Sequence, residues 1–193
     1  MPKIVTIVEG HGEVSSVPIL LRRIADDLIP GVFVELPRPI RIKRQQLLKD
    51  GELERAVDLA ARQAGADGRI LILLDSDEDC PRHLAAEISR RAIKARSDRL
   101  IRVVLAKAEY ESWFLAAAAS IAGCRGIAAS ATPPPDPESV ADPKRWLSDR
   151  MPAGWSYRPT LDQPALTQIF DLAAARKTPS FDKMWRDCAL LLG

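Results

Sequence analysis

Three acidic segments stand out in the sequence, and each of them directly follows a run of apolar residues. Their acids are Glu9 and Glu13 in the first segment, Asp75, Asp77, Glu78 and Asp79 in the second, and Glu109 and Glu111 in the third. Carboxylates gathered in one place repel one another, and burying them together is costly unless a cation compensates. The segments therefore predict a site for a hard divalent cation, Mg²⁺ or Mn²⁺ in its place, which prefers oxygen ligands.

Two acids of the second segment could bind the same ion. Asp75 and Asp77 are two positions apart, and in an extended chain such side chains point the same way. Solvated loops are also rich in acids, but that explanation would have to hold separately for all three segments. Glu13 has a structural explanation as well, because the dipole at the start of a helix stabilises a negative charge.

Several cationic side chains could contact phosphate groups. Four of them lie together in a proline-containing stretch that indicates an exposed loop, and these are Arg38, Arg41, Lys43 and Arg44. Such clusters attract phosphate backbones without reading their sequence. Lys107 could stabilise a developing oxyanion, although a solvated charge is equally ordinary there. His11 could act as a base or contact phosphate, or it could simply be a tolerated turn residue.

The chain pattern predicts a scaffold that would position these residues. Short β-branched runs alternate with segments of helical periodicity, which is typical of an α/β fold with a parallel sheet flanked by helices. We predict strands at Lys3–Val8, Val32–Leu36, Arg69–Leu74 and Leu100–Ala106, and helices at Glu13–Leu28, Leu53–Ala64, Pro81–Ala95 and Tyr110–Ala122. The almost wholly apolar third strand should be central. Ligands bind beyond the carboxyl ends of such strands, where the acidic segments would meet.

The chain changes character after residue 122. Residues 123–142 form a proline-rich connection, because proline at this density interrupts both helices and sheet ladders. Short helices are predicted at Pro143–Arg150, Gln163–Ala175 and Phe181–Leu192, the last of them capped by Ser180. We therefore divide the chain into an α/β domain (1–122), the connection (123–142), and a small helical C-terminal extension (143–193) packed on the α/β domain.

Composition excludes several classes of protein. The 193 residues include 28 Lys+Arg and 26 Asp+Glu, giving a net charge of +2. This near-neutral charge argues against a strongly basic tail and against an acidic disordered tail. Three cysteines and two histidines make a disulfide framework or a zinc site unexpected. No apolar run reaches the length of a membrane span, and the first residues do not have the pattern of a signal peptide. We expect a cytoplasmic protein.

The order of the motifs resembles a known family. The segment from Val8 to Glu13, followed by Asp75-Ser76-Asp77 after a later strand, is similar to the Toprim domain of primases, topoisomerases and OLD-family nucleases. Nearly the whole chain resembles more closely the DUF4276 group of Toprim-like proteins. Further stretches that carry this resemblance are Glu109–Ala116, Asp142–Leu147 and Ser180-Phe181.

The resemblance implies a Toprim-like, Rossmann-like fold and a role for individual residues. Asp75 and Asp77 would bind Mg²⁺, Glu9 would bind the metal or transfer a proton, and Glu13 and Glu111 would be catalytic acids. The position of Glu111 in the motif favours it over Glu109 as the catalytic acid of the third segment. The sequence departs from the family in two respects: it has no obvious active-site tyrosine of the topoisomerase kind, which those enzymes carry on separate domains, and no P-loop of the kind found in OLD-family ATPases.

These observations lead to one leading hypothesis and two alternatives. We expect a Mg²⁺-dependent nuclease or phosphodiester-transfer enzyme that acts on nucleic acid, in phage defence or DNA repair. The first alternative is a non-catalytic Toprim-like subunit that binds nucleic acid or a partner ATPase. The second is phosphotransfer or hydrolysis on a small phosphorylated substrate. The sequence does not determine whether the substrate is DNA or RNA, whether one or two metal ions bind, or which oligomeric state the protein adopts.

Overall fold

Four parallel strands form a single sheet in the computed structural model, which describes residues 1–193. The strands are β1 (Ile4–Val8), β2 (Ile40–Arg41), β3 (Arg69–Asp75) and β4 (Ile101–Ala106). Their order in the sheet is β2-β1-β3-β4. The predicted parallel α/β sheet is therefore confirmed, and so is the central position of the third strand. Since β1, β3 and β4 run in the same direction, the acidic segments leave the sheet at the same edge.

Helices cover both faces of the sheet. Before the proline-rich stretch they are α1 (His11–Leu28), α2 (Arg44–Leu47), α3 (Glu52–Ala64), α4 (Pro81–Ala95), α5 (Ser112–Ala116) and α6 (Ala118–Ile121). After it they are α7 (Pro143–Ser148), α8 (Pro159–Thr167), α9 (Leu172–Ala175) and α10 (Pro179–Leu192), and one turn of 3-10 helix lies at Pro137–Ser139. No helix combines the length and the apolar character needed to cross a membrane.

The alternation of side chains along β3 creates two hydrophobic cores. Leu71 and Leu73 belong to the core under α1, whereas Ile70, Ile72 and Leu74 belong to the core under α3 and α4. All five side chains are buried, and each contributes about 1.5–3 kcal/mol through removal from water. This double burial explains why the strand is apolar throughout instead of alternating.

The helices after residue 142 complete the core on the α1 side. Helix α8 packs on α1, and α10 packs on both β4 and α1. A cluster of buried aromatic rings joins these helices to α5, with neighbouring ring centroids 4.8 to 5.7 Å apart, and its members are Tyr110, Trp113, Phe114, Phe170 and Phe181. The same cluster places the C-terminal helices beside the acidic edge of the sheet.

The strand predicted at Val32–Leu36 is wrong. This segment makes only an isolated bridge between Lys3 and Glu35, and Phe33 is 69% exposed. The strand that pairs with β1 on this side of the sheet is Ile40–Arg41, which follows two prolines. Proline has no N–H to donate to a sheet ladder, so regular pairing begins only beyond them.

Three helix predictions need correction. The helix predicted at Tyr110–Ala122 begins at Ser112 and is interrupted at Ala117, whose φ of −104° and ψ of 21° are not helical. The helix predicted at Gln163–Ala175 is two helices, because Asp171 accepts hydrogen bonds from the Ala173 and Ala174 N–H groups and caps a separate α9.

The third correction concerns the last helix. It begins at Pro179, whose fixed φ suits the first helical position, so Thr178 and not Ser180 occupies the cap position. The hydroxyl of Ser180 instead accepts a hydrogen bond of 2.8 Å from Nε1 of Trp113.

Candidate functional site

A polar cavity of about 400 Å³ lies beyond the carboxyl ends of β1 and β3. We call it the acidic cavity, because its lining includes the acids Glu9, Glu13, Asp75, Asp77 and Glu109. None of the residues that line it is hydrophobic. The structure thus brings together residues from all three acidic segments.

The turn from β1 into α1 positions the first two acids. Gly10 occupies the cap position of α1, and Glu13 lies in the first turn. One carboxylate oxygen of Glu13, Oε2, accepts hydrogen bonds from the backbone N–H groups of Glu9 (3.0 Å) and Gly10 (2.7 Å). This arrangement satisfies two donors at the start of the helix and leaves Oε1 of Glu13 free of these contacts.

Gly12 allows a C-terminal helix to approach this turn. A Cβ atom at Gly12 would lie 2.8 Å from the carbonyl oxygen of Pro159 and 2.5 Å from Oε1 of Gln163. Real Cβ atoms do not come this close to other atoms, so a larger residue would displace α8. This close approach of α8 is the reason that glycine is required at this position.

The end of β3 positions Asp75 and Asp77 differently from the extended chain that we expected. Oδ1 of Asp75 accepts a hydrogen bond of 2.8 Å from the Tyr110 N–H. Asp77 has a left-handed φ of 47°, and its N–H donates to the Ala108 carbonyl at 3.0 Å. Oδ2 of Asp77 lies 2.9 Å from Nη1 of Arg44. Both aspartates line the acidic cavity, but Asp77 already has a cationic partner.

Lys144 supplies a cation from the C-terminal part of the chain. It lies in the first turn of α7, where Asp142 accepts a hydrogen bond from the Arg145 N–H. Its Nζ donates to Oε1 of Glu109 at 2.7 Å and lies 3.6 Å from Oε2 of Glu111. Burial alone would lower the pKa of Lys144. The neighbouring carboxylates of Glu111, Glu109 and Asp75 have the larger effect, so the pKa of Lys144 is raised. Lys144 therefore remains charged.

Glu111 lies behind the wall of the cavity. Its side chain is fully buried, and its Oε1 accepts hydrogen bonds from the Tyr157 hydroxyl (2.8 Å) and from Nε2 of Gln163 (3.0 Å). Burial raises its pKa, against the lowering effect of Lys144. Glu111 thus contacts other protein groups and holds Lys144 in place, whereas Glu109 faces the cavity.

Three acids of the cavity have no ion-pair partner. Glu9, Glu13 and Asp75 take part in none of the ion pairs of the structure. Burial raises the pKa of Glu13 to about 7, although the Gly10 N–H opposes the shift. Burial and the neighbouring carboxylates of Glu13 and Glu111 also raise the pKa of Asp75. Burial and the charge of Asp77 raise that of Glu9.

These oxygens fit the chemistry of Mg²⁺ in part. No group of three or more His, Cys, Asp and Glu side chains has the arrangement needed to hold a metal ion. However, Oε2 of Glu9 is buried without a hydrogen-bond partner, and neither Glu9 nor Asp75 has a cation within ion-pair distance. Mg²⁺ is commonly held by one or two carboxylates together with water and substrate phosphates. The donor set therefore suits an ion that retains part of its water shell.

The cations expected to contact phosphate are distributed over different places. His11 lines the acidic cavity and is exposed. Nη1 of Arg41 donates to the Glu9 carbonyl at 3.5 Å, and Arg44 pairs with Asp77 and Asp79. Of the six residues only His11 lines the acidic cavity: Arg38 and Lys43 are exposed elsewhere, and Lys107 lines a different cavity.

Sequence reasoning missed Lys144, Gln163 and Tyr157 as members of the site. Gln163 lines the acidic cavity, and Tyr157 donates to Glu111 behind it. A signal existed for Lys144, because it belongs to the motif from Asp142 to Leu147 that carries the family resemblance. Nothing comparable marked the other two, whose partners lie about 50 residues away in the chain.

The fold and the site together define an α/β protein with a parallel sheet and an acidic cavity at the carboxyl ends of its strands. The chain matches the family model described as a domain of unknown function, DUF4276, over residues 8–188. It therefore belongs to the DUF4276 family. No curated protein and no solved structure matches the chain.

Proposed function

We propose that the protein is a Mg²⁺-dependent enzyme that hydrolyses or transfers phosphodiester bonds in nucleic acid. One observation carries the proposal: Glu9, Glu13 and Asp75 line one polar cavity, and none of them forms an ion pair. Such a set of carboxylates is stable only if protons or an external cation neutralise it. The resemblance of the acidic segments to the Toprim domain favours the cation, and with it chemistry on phosphodiesters.

Glu9, Asp75 and Asp77 are the residues that would hold the metal ion. When bound, Mg²⁺ would polarise a phosphoryl oxygen and make a coordinated water more acidic. Asp77 is the weakest of the three ligands, because Arg44 competes for its carboxylate. Glu9 and Asp75 are free of such competition.

Glu13 is suited to proton transfer at the same place. Burial raises its pKa to about 7 in the metal-free protein, and a cation bound at Glu9 and Asp75 would lower this pKa and favour the ionised form, which acts as a general base. Its Oε2 is held by two backbone N–H groups, so the proton is exchanged at Oε1. Glu9, whose pKa is also raised, is the second candidate for this role.

Lys144 would stabilise negative charge on the reacting phosphate. Its ammonium group has one strong hydrogen bond, to Glu109, and it lines the cavity with further N–H donors. A fixed cation that is already in place when charge develops is an effective source of stabilisation. Glu111 acts through Lys144 by holding its ammonium group, so it is a positioning residue in this scheme.

Cleavage assays with matched variants test the proposal. Purified protein is incubated with plasmid DNA, single-stranded DNA and RNA, and with short nucleotides, in Mg²⁺, Mn²⁺ or EDTA. We expect metal-dependent cleavage that Glu9→Gln and Asp75→Asn abolish. Glu78→Gln is the control, since Glu78 is an exposed acid of the same segment and does not line the cavity. Unchanged cleavage in the first two variants would refute the assignment, and a Mn²⁺-soaked crystal without an ion near Glu9 would remove its basis.

A non-catalytic role is the second candidate. It is favoured by the absence of any group of three acids arranged for a metal ion. In this case Glu13 serves as a helix cap, and the contact between the buried Glu111 and the partly exposed Lys144 joins the sheet to the C-terminal helices. The protein would then bind nucleic acid or a partner ATPase without turnover in any metal. Stable association with nucleic acid in EDTA, combined with no cleavage in Mg²⁺ or Mn²⁺, would favour this alternative.

A further inference from the structure

A second and larger cavity, of about 700 Å³, runs along the open edge of the sheet between α4 and α10. We call it the edge groove. Strand β4 is the last strand of the sheet on this side, and its Val103, Leu105 and Lys107 line the groove. Helix α4 contributes Arg82 and α10 contributes Lys183, among others. The groove is therefore part apolar and part charged.

Two cations that line the edge groove have no partner within the protein, and one lining acid, Glu138, forms no ion pair. Lys183 and Arg186 line it, but each is paired with an aspartate of α10. The lining acid Glu138 accepts a hydrogen bond of 2.9 Å from the Ser180 N–H. Arg82 and Lys107 take part in no ion pair, and neither side chain donates a hydrogen bond within the protein. The groove thus presents two free cations to a ligand.

The amino end of α4 adds to the positive potential at one end of the groove. This helix has 15 residues, and Cys80 occupies its cap position. The backbone N–H groups of His83 and Arg82 lower the pKa of the Cys80 thiol, and Lys107 lowers it further. These groups favour a negative charge at this place, as the amino ends of helices generally do.

The edge groove lies next to the acidic cavity. The Ala108 N–H donates to Oγ of Ser76 at 3.1 Å, and its carbonyl accepts the Asp77 N–H at 3.0 Å. These bonds join the loops that follow β3 and β4. Lys107 lines the groove on one side of Ala108, and Glu109 lines the acidic cavity on the other. A ligand longer than one phosphate group could therefore occupy both.

We propose that the edge groove binds the phosphate backbone of a nucleic-acid strand on one side of the acidic cavity, with Arg82 and Lys107 as the phosphate contacts. The inference rests on the proposed function for the chemical class of the ligand. Charge complementarity favours this occupant, because a second copy of the chain would bring the same two free cations against each other. Contacts of this kind position the strand and do not read its sequence.

Alkylation of Cys80 measures occupation of the groove in the unmodified protein. Cys80 is exposed and lines the groove, Cys188 is buried, and Cys124 is half-buried elsewhere. We expect a single-stranded oligonucleotide, added in EDTA at low salt, to slow the reaction of Cys80 with neutral iodoacetamide about tenfold or more, as bound backbone excludes reagent. The rate at Cys124 should not change. Mass spectrometry of each cysteine peptide provides both rates.

Charge variants identify the contacts. Arg82→Gln combined with Lys107→Gln should weaken oligonucleotide binding, and it should reduce the slope of log Kd against log salt by about 0.7 for each lost contact. Arg90→Gln combined with Lys94→Gln is the matched control, since both residues are exposed on α4 and do not line the groove. Equal weakening by the two double variants would overturn the proposal.

The outcomes separate this inference from the catalytic one. Protection of Cys80 without cleavage in any metal counts against the catalytic proposal and supports the groove. Cleavage without protection of Cys80 would contradict binding of the strand in the edge groove, but it would leave the catalytic proposal intact. Protection by a mononucleotide or by polyglutamate, but not by an oligonucleotide, also overturns it, as does failure of the protein to bind any strand.

Discussion

Replacement of Glu13 by glutamine should make the protein more stable at high pH, although the residue caps a helix. The glutamine keeps an oxygen that can accept the N–H groups of Glu9 and Gly10, so the cap survives. What it loses is the buried charge. Glu13 is only 6% exposed as a residue, and its carboxylate forms no ion pair.

The size of the effect follows from the pKa of Glu13. Folding raises this pKa from 4.5 to about 7, and each pKa unit corresponds to about 1.4 kcal/mol. The unfolded chain ionises first, so the wild-type protein loses stability as the pH rises from 4.5 to about 7. The loss reaches about 3 kcal/mol above that range. Glu13→Gln does not ionise and escapes this loss.

Urea denaturation in EDTA, at a series of pH values, measures the difference between the two proteins. The free energy of unfolding of Glu13→Gln, relative to wild type, should grow by about 3 kcal/mol between pH 4.5 and pH 8 and then level off. Glu78→Gln, which changes an exposed acid, should show no such growth. A flat difference for Glu13→Gln, or one that falls as the pH rises, would show that Glu13 is not a buried, uncompensated acid.

Three further predictions concern the contacts that hold the C-terminal helices to the site. Lys144→Met leaves the buried Glu111 without its cation and should lower the free energy of unfolding by about 3 kcal/mol at pH 8. The loss should be smaller at pH 5, because the carboxyl group of Glu111 takes up a proton there. Equal losses at the two pH values would contradict this prediction. Gly12→Ala should cost about 1–3 kcal/mol, because its Cβ would displace α8, whereas an alanine at the exposed Ser15 should be nearly neutral in the same urea titration. Ser180→Ala removes the acceptor of the buried Trp113 N–H and should cost about 1–3 kcal/mol; a thermal midpoint equal to that of wild type would indicate that water replaces the hydroxyl.

The central part of the fold was predictable from local patterns. Burial on both faces requires β3 to be apolar throughout, and helical periodicity makes the sheet-facing residues of α1 evident. The edge strand β2 was not predictable in this way, because its two residues are defined by backbone pairing to Ile7 and Val8 and not by their own side chains. The exposed Val32 and Phe33 have the residue types of a strand but no partner to pair with.

The site was predictable only where its residues follow strands. The rule that parallel strands end at one edge brings Glu9, Asp75 and Glu109 together without knowledge of the rest of the chain. Lys144 lies 35 residues beyond Glu109, and its contact depends on how α7 packs against the sheet. The same packing decides that Glu111 is buried while Glu109 faces the cavity, which no spacing in the sequence reveals.

The acidic cavity is built from both halves of the chain, and this has a consequence for its synthesis. Glu9, Glu13, Asp75 and Glu109 leave the ribosome before Lys144 and before Gln163, which forms the opposite wall. A nascent chain therefore carries this group of acids without Lys144 and Gln163 until α7 and α8 have emerged. The complete cavity, and any ligand site that depends on it, therefore forms only after α8 has left the ribosome.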